Sequence, residues 1–164
     1  MKVKLGVLTA SDRSAAGDRP DLTAGVIREL VQAAGWEVTD YRIVPDDRRR
    51  IAAALRHMAD SGLSLVLTTG GTGLGPRDVT PEATADVIER PVPGLGELMR
   101  EAGRRSTPRA ALSRALAGIR GRTLIVNLPG SPRGARESLE SLLEVLPHAL
   151  EVLAGEVTDC GHPA

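Results

Sequence analysis

Three stretches of this chain, residues 2–9 (KVKLGVLT), 63–69 (LSLVLTT) and 123–128 (TLIVNL), are near-continuous runs of apolar and β-branched residues. Each is bounded by polar or glycine-containing turns, which marks them as short strands. A strand that is apolar on both sides has to be covered on both faces, the condition of a mostly parallel sheet wrapped by helices. The segments between them carry helical spacing. Asp21 is an N-cap for a helix with Leu22, Val26, Leu30 and Ala33 on one stripe, stopped by Gly35. Residues 36–44 alternate as a further strand, and residues 48–60 form a helix with Ile51, Leu55 and Met58 on one face.

The remaining segments continue the pattern. Residues 11–20 read as a loop. Thr80, Pro81 and Glu82 read as a hydroxyl N-cap, a proline at the first helical position and a dipole-favoured acid. Helices are expected over about residues 96–104 and 108–119, then a final helical region to about residue 153, interrupted near Pro147. Strands alternating with helices predict an α/β fold, a three-layer α/β/α sandwich with a mostly parallel sheet. One domain is expected over residues 1–154, with residues 155–164 as a polar, mobile tail.

Composition excludes several function classes. The 21 basic and 21 acidic side chains cancel, so the basic face of a dedicated nucleic-acid binder is not expected. Aromatic residues are 1% of the chain, too few for a base-stacking platform. No apolar run reaches the roughly 18–20 residues of a membrane helix. The single cysteine, Cys160, cannot form an intramolecular disulfide, and the chain reads as cytoplasmic. Cys160 and His162 are too few ligands for zinc. His57 and His148 have no neighbouring nucleophile in sequence and read as structural.

In a parallel sheet ligands sit beyond the carboxyl ends of the strands. The unusual loops all follow strands: Ser11-Asp12-Arg13, Gly70 to Asp78, and Pro129-Gly130-Ser131-Pro132. The second places four glycines in six positions, suited to positive φ or to close backbone approach, and successive amides there can cradle an anion. It is neither a Walker A loop nor GxGxxG. Asp78 is a candidate for Mg²⁺ or for an Asx turn, and one of Asp46 and Asp47 caps the next helix. Ser131 reads as an N-cap or a third anion-contacting turn. Arg48, Arg49 and Arg50 read as a solvated face.

Taken together, Thr68-Thr69-Gly70-Gly71-Thr72-Gly73 and Arg77-Asp78-Val79-Thr80-Pro81-Glu82-Ala83 closely resemble the MogA/MoaB family of molybdenum cofactor biosynthesis. The likeness extends through Pro93-Gly94-Leu95-Gly96-Glu97-Leu98-Met99-Arg100, Leu112-Ser113-Arg114 and Leu128-Pro129-Gly130-Ser131-Pro132. Ser11-Asp12-Arg13 and Val44-Pro45-Asp46 also fit. The resemblance implies a molybdopterin adenylyltransferase that transfers AMP from Mg-ATP to the terminal phosphate of molybdopterin and releases pyrophosphate. It implies a homotrimer and onward transfer to a molybdenum-insertion protein. It maps the family's two functional aspartates, catalytic or Mg²⁺-binding, onto Asp46 and Asp78. It maps nucleotide- and pterin-contacting positions onto Thr69, Gly70, Gly71, Thr72, Gly73, Pro129, Gly130 and Ser131, with Ser11 and Asp12 nearby. The alternative is a MoaB-type paralogue, or a trimeric carrier, that binds the pterin with little or no catalysis. The Leu74-Gly75-Pro76 insert and the tail depart from the family pattern.

Overall fold

The computed structural model describes residues 2–157; Cys160, His162 and most of the expected tail lie outside the described residues. The first apolar run forms β1 (Lys4–Ala10), followed by a one-turn helix α1 (Asp12–Ala15), α2 (Leu22–Ala33), β2 (Glu37–Val44) and α3 (Arg48–Asp60). Next come β3 (Leu65–Thr69), α4 (Thr80–Ala85), β4 (Arg90–Pro91) and α5 (Pro93–Arg104). A 3-10 turn (Pro108–Leu112), β5 (Ala117–Arg120), β6 (Thr123–Leu128), α6 (Pro132–Leu142) and α7 (Leu146–Ala154) complete it.

The sheet has six strands in the order β2-β1-β3-β6-β5-β4. β2, β1, β3 and β6 run parallel, whereas on the far side of β6 the strand β5 runs antiparallel to β6 and β4 antiparallel to β5. The three central apolar runs are buried on both faces, as their composition requires. On one face Leu5, Val7, Leu65, Leu67, Leu124 and Val126 meet α2, α5, α6 and α7. On the other, Leu8, Val66 and Ile125 meet α3 and α4. The alternation follows the two-residue period of a strand, so one run feeds two cores. This is the expected three-layer sandwich.

Four local expectations need correction. Residues 11–20 are not all loop, because the Ser11 hydroxyl accepts from Ser14 N at 3.1 Å and caps α1. The stripe of α2 is rotated: Ala24, Ile27, Leu30 and Val31 are buried, whereas Leu22 is 64% exposed and Ala33 faces solvent. Val79, not Thr80, is the N-cap of α4, and it makes no side-chain cap bond. The helix expected over residues 108–119 is a 3-10 turn followed by β5. Here ladder pairing with β6 (Ala117 opposite Val126, Gly118 opposite Ile125) overrides the helical propensity of the alanines.

Helix α3 spans the expected residues, and its cap is assigned: Asp47 accepts from Arg50 N at 2.8 Å. Asp46 is thereby left outside the helix terminus. Because the chain leaving β1 passes to α2 on one face and the chain leaving β3 passes to α4 on the other, it parts above these two neighbouring strands and opens a crevice at their carboxyl ends.

Candidate active site

The crevice is a cavity of about 380 Å³. Thr9, Ala10 and Ser11 line it from the end of β1, Thr69, Gly70 and Gly71 from the end of β3, and Gly130 and Ser131 from the end of β6. Asp46, Asp78 and Asp21 supply its acidic side chains, and Arg19 its cationic one.

Gly70 and Gly71 both adopt positive φ, +92° and +66°. A Cβ on Gly70 would lie 2.3 Å from the carbonyl oxygen of Ala10, so the glycine lets two strand ends approach. A Cβ on Gly71 would lie 2.4 Å from Thr80 Oγ1 and 3.2 Å from Asp46 Oδ1. Thr80 is fully buried and its hydroxyl has no partner. Gly71 is thus wedged between a carboxylate and an unpaired hydroxyl, with its own carbonyl accepting from Thr80 N at 3.1 Å.

Backbone amides fix the carboxylates. Asp12 N–H donates to Asp46 Oδ2 and Asp46 N–H donates to Asp12 Oδ1, each at 3.0 Å, clasping the β1 and β2 exits together. Arg77 binds Asp12 through both Nε and Nη2, at 3.0 and 2.9 Å. That hydrogen bonding holds the Asp12 carboxyl below its ordinary range. The Asp46 carboxyl is pushed up instead, first by burial and then by the charges of Asp12 and Asp78, against the Asp12 amide and Arg77. Asp78 Oδ2 accepts from Gly75 N at 2.9 Å, three residues back in the chain and not two residues on, so the carboxylate satisfies a local backbone donor without forming an Asx turn, and it still lines the cavity.

A threonine at the end of β3 and another in the first turn of α2 scaffold the β6 loop. Thr69 Oγ1 donates to Pro129 O at 2.7 Å and Thr23 Oγ1 to Gly130 O at 2.8 Å. Thr9 Oγ1 donates to Asp21 Oδ2 at 2.6 Å, and the Tyr41 hydroxyl donates to the same oxygen. Ser131 is a true cap, accepting from Gly134 N at 3.0 Å. Thr23 and Arg19 carry no signal in the sequence, and Asp21 is expected there only as the N-cap of α2, a role it keeps by accepting from Ala24 N at 3.1 Å; polar residues ending an apolar run (Thr9, Thr69, Asn127) are the available signal for the scaffold.

The residues singled out from sequence divide between two neighbouring cavities. Ser11, Asp46, Thr69, Gly70, Gly71, Asp78 and Gly130 line the first. Thr72, Gly73 and Pro129 line a second, of about 290 Å³, walled largely by α5, the 3-10 turn and α6; Ser131 borders both. Asp12 lines neither and acts through Asp46 and Arg77. The arrangement offers a polar, glycine-floored chamber with paired acids beside a mainly apolar one, which suits a ligand with a polyanionic part and a ring system.

Residues 6–148 match the family described as "Probable molybdopterin binding domain". The chain is 42% identical over 156 residues to a Helicobacter pylori protein named molybdopterin adenylyltransferase, covering 93% of this chain and 89% of that protein. The crystal structure titled molybdopterin biosynthesis enzyme MoaB, from Thermus thermophilus, superposes with a TM-score of 0.89 at 57% identity, covering 93% of this chain and 97% of that one. The molybdopterin biosynthesis Mog protein from Mycobacterium ulcerans gives 0.87 at 37%, covering 92% and 99%. Sequence, fold and the loops that converge on the crevice agree, and the chain belongs to the molybdopterin-binding family of molybdenum cofactor biosynthesis proteins.

Proposed function

We propose that this protein is a molybdopterin adenylyltransferase, transferring AMP from Mg-ATP to the terminal phosphate of molybdopterin. The observation that carries the reading is the meeting of the β1, β3 and β6 exits, with Asp46 and Asp78, around one chamber beside a second, more apolar one. A terminal phosphate oxygen of the pterin attacks the α-phosphorus of ATP. The new P–O bond forms as the bond to pyrophosphate breaks, and pyrophosphate leaves with that electron pair. A phosphate monoester is already ionised near neutral pH, so the protein has to position and neutralise charge more than remove a proton. Loop amides from Gly70 to Gly73 receive phosphate oxygens, and the β6 loop orients the acceptor.

Two carboxylates lining one chamber are a donor set for a hard cation, and Asp46, raised first by burial and then by the charges of Asp12 and Asp78, has a charge that such a cation would offset. Among the described residues no three acidic, histidine or cysteine side chains gather into a metal-binding group. Asp46 and Asp78 would therefore hold Mg²⁺ only together with substrate phosphate oxygens, the usual mode for this ion. When bound, Mg²⁺ would offset charge on the polyphosphate.

Incubation with molybdopterin and Mg-ATP tests the reading. The expected outcome is adenylylated pterin and one pyrophosphate per product; pterin binding without product would overturn it. That second outcome would favour the non-catalytic MoaB-type or carrier reading. Assembly as a homotrimer and delivery of the product to a molybdenum-insertion protein belong to the same proposal. The first is checked by sedimentation and the second by co-purification. No helix of the described residues is long and apolar enough to cross a membrane. A cytoplasmic location is proposed and is checked by cell fractionation.

A further inference from the structure

The glycine-rich connection between β3 and α4 is held at Gly71 by Thr80 N–H, across Gly75 and Asp78 by two local bonds, and at Arg77 by Asp12, but none of these bonds fixes Gly73. Residues 73–77 lie outside any helix or strand, and Leu74, Gly75, Pro76 and Arg77 are exposed. Glycine-dense backbone loses the most conformational entropy on being ordered, so a loop that must present its amides in one arrangement needs an external brace. The structure places one side chain in that position. Arg114, in the extended segment before β5, donates from Nε to Gly73 O at 2.7 Å and from Nη2 to Asp78 O at 2.6 Å. Its Nη1 binds Glu82 on α4, and its backbone N–H donates to Thr72 O at 2.9 Å.

One guanidinium therefore spans both ends of the loop and the helix that follows it. Its planar fork is suited to this: three separate N–H vectors reach two carbonyls and a carboxylate at once, which a lysine ammonium on a flexible stem cannot reproduce. Arg114 is itself held from behind. Arg100 of α5 donates to the carbonyls on either side of it, Ser113 O at 3.3 Å and Ala115 O at 2.8 Å. Arg100 also lines the more apolar chamber, so the brace links the walls of both chambers.

We propose that Arg114 is the positioning residue of the glycine loop, fixing Gly73 and Asp78 so that the loop amides meet the triphosphate of the nucleotide and the Asp78 carboxylate stands where it would take the accompanying Mg²⁺. The nucleotide part of this inference rests on the adenylyltransferase reading; the bracing of the loop does not.

The test compares the full-length wild-type protein with Arg114→Ala, Arg114→Lys and, as a control, Arg120→Ala. Arg120 pairs with Asp60 at the opposite end of the sheet, so the control also loses one arginine–carboxylate pair. In Arg114→Ala, amide hydrogen exchange over residues 71–79 rises at least tenfold while the β1, β3 and β6 amides stay protected. Affinity for Mg-ATP alone, measured by calorimetry, falls at least tenfold, and the KM for ATP rises more than the KM for molybdopterin. Arg114→Lys recovers only part of the loss, and Arg120→Ala moves neither readout. Unchanged exchange over residues 71–79 in Arg114→Ala would overturn the bracing role. An ATP affinity within twofold of wild type would overturn the positioning role. A wild-type protein that binds no Mg-ATP overturns the nucleotide arm together with the adenylyltransferase reading, and the exchange result still decides the bracing.

Discussion

Adjacent carboxylates at positions 46 and 47 are assigned different work by one hydrogen bond. Asp47 Oδ1 accepts from Arg50 N and caps α3, while Asp46 accepts from Asp12 N and lines the chamber. Asp47→Ala should lower stability by about 1 kcal/mol, the usual worth of an N-cap, and leave turnover unchanged. Asp46→Asn and Asp78→Asn should keep the fold and pterin binding while turnover falls roughly 10²–10³-fold, the scale of losing one electrostatic stabiliser. Thermal melts and steady-state kinetics on the same preparations separate these outcomes. The raised Asp46 carboxyl also sets a pH expectation. Its folded pKa lies above its unfolded value, so the folded state favours the proton, and stability is gained as pH falls through that folded pKa. On the proposed role of Asp46, activity needs its ionised form. The acid limb of kcat/KM should therefore begin above the ordinary aspartate value of about 3.9 and move in Asp46→Asn. An acid limb unchanged in that variant would exclude Asp46 as its source.

At the scale of elements, the β3–α4 connection concentrates the constraints. Gly70 meets the Ala10 carbonyl and Gly71 meets Thr80 and Asp46, both at positive φ. Alanine at either position combines backbone strain with overpacking, and each substitution should cost about 2–3 kcal/mol. Calorimetry should record a Tm lower by roughly 5–10 °C for a chain of this size. Full stability in Gly71→Ala would mean the loop relaxes more easily than its contacts imply. The antiparallel edge pair of β4 and β5 shows the limit of local reading. Residues 108–119 carry alanine and leucine at helical spacing, and only pairing with β6 and the hold of Arg114 on Thr72, Gly73 and Asp78 draw the segment out straight. In α2 the polarity of the stripe was similarly ambiguous. Leu22 is exposed at the mouth of the chamber, whereas Thr23 is buried because its hydroxyl reaches Gly130 O.

For the whole molecule, the sheet order brings exits separated by more than a hundred residues to one rim, so a ligand bound there should stabilise the fold as a unit. At about 100 times its Kd, Mg-ATP should add about 2.7 kcal/mol. The Tm should rise by several degrees, and EDTA should abolish the rise; an equal shift without the metal would remove Mg²⁺ from the site. The layers follow from the apolar pattern of the chain. Three apolar runs with no polar face can only be strands covered on both sides, and the spacing of Ile51, Leu55 and Met58 can only serve a helix against such a sheet. The sequence also marked the glycine loop and the acids beside it, because those residue types are costly without a reason to be there. Tertiary structure alone decided which aspartate faces the chamber, that the loop residues divide between two chambers, and that Arg114 braces the loop from 36 positions beyond Asp78. These depend on contacts between segments distant in the chain, whose energies no local pattern of residues encodes.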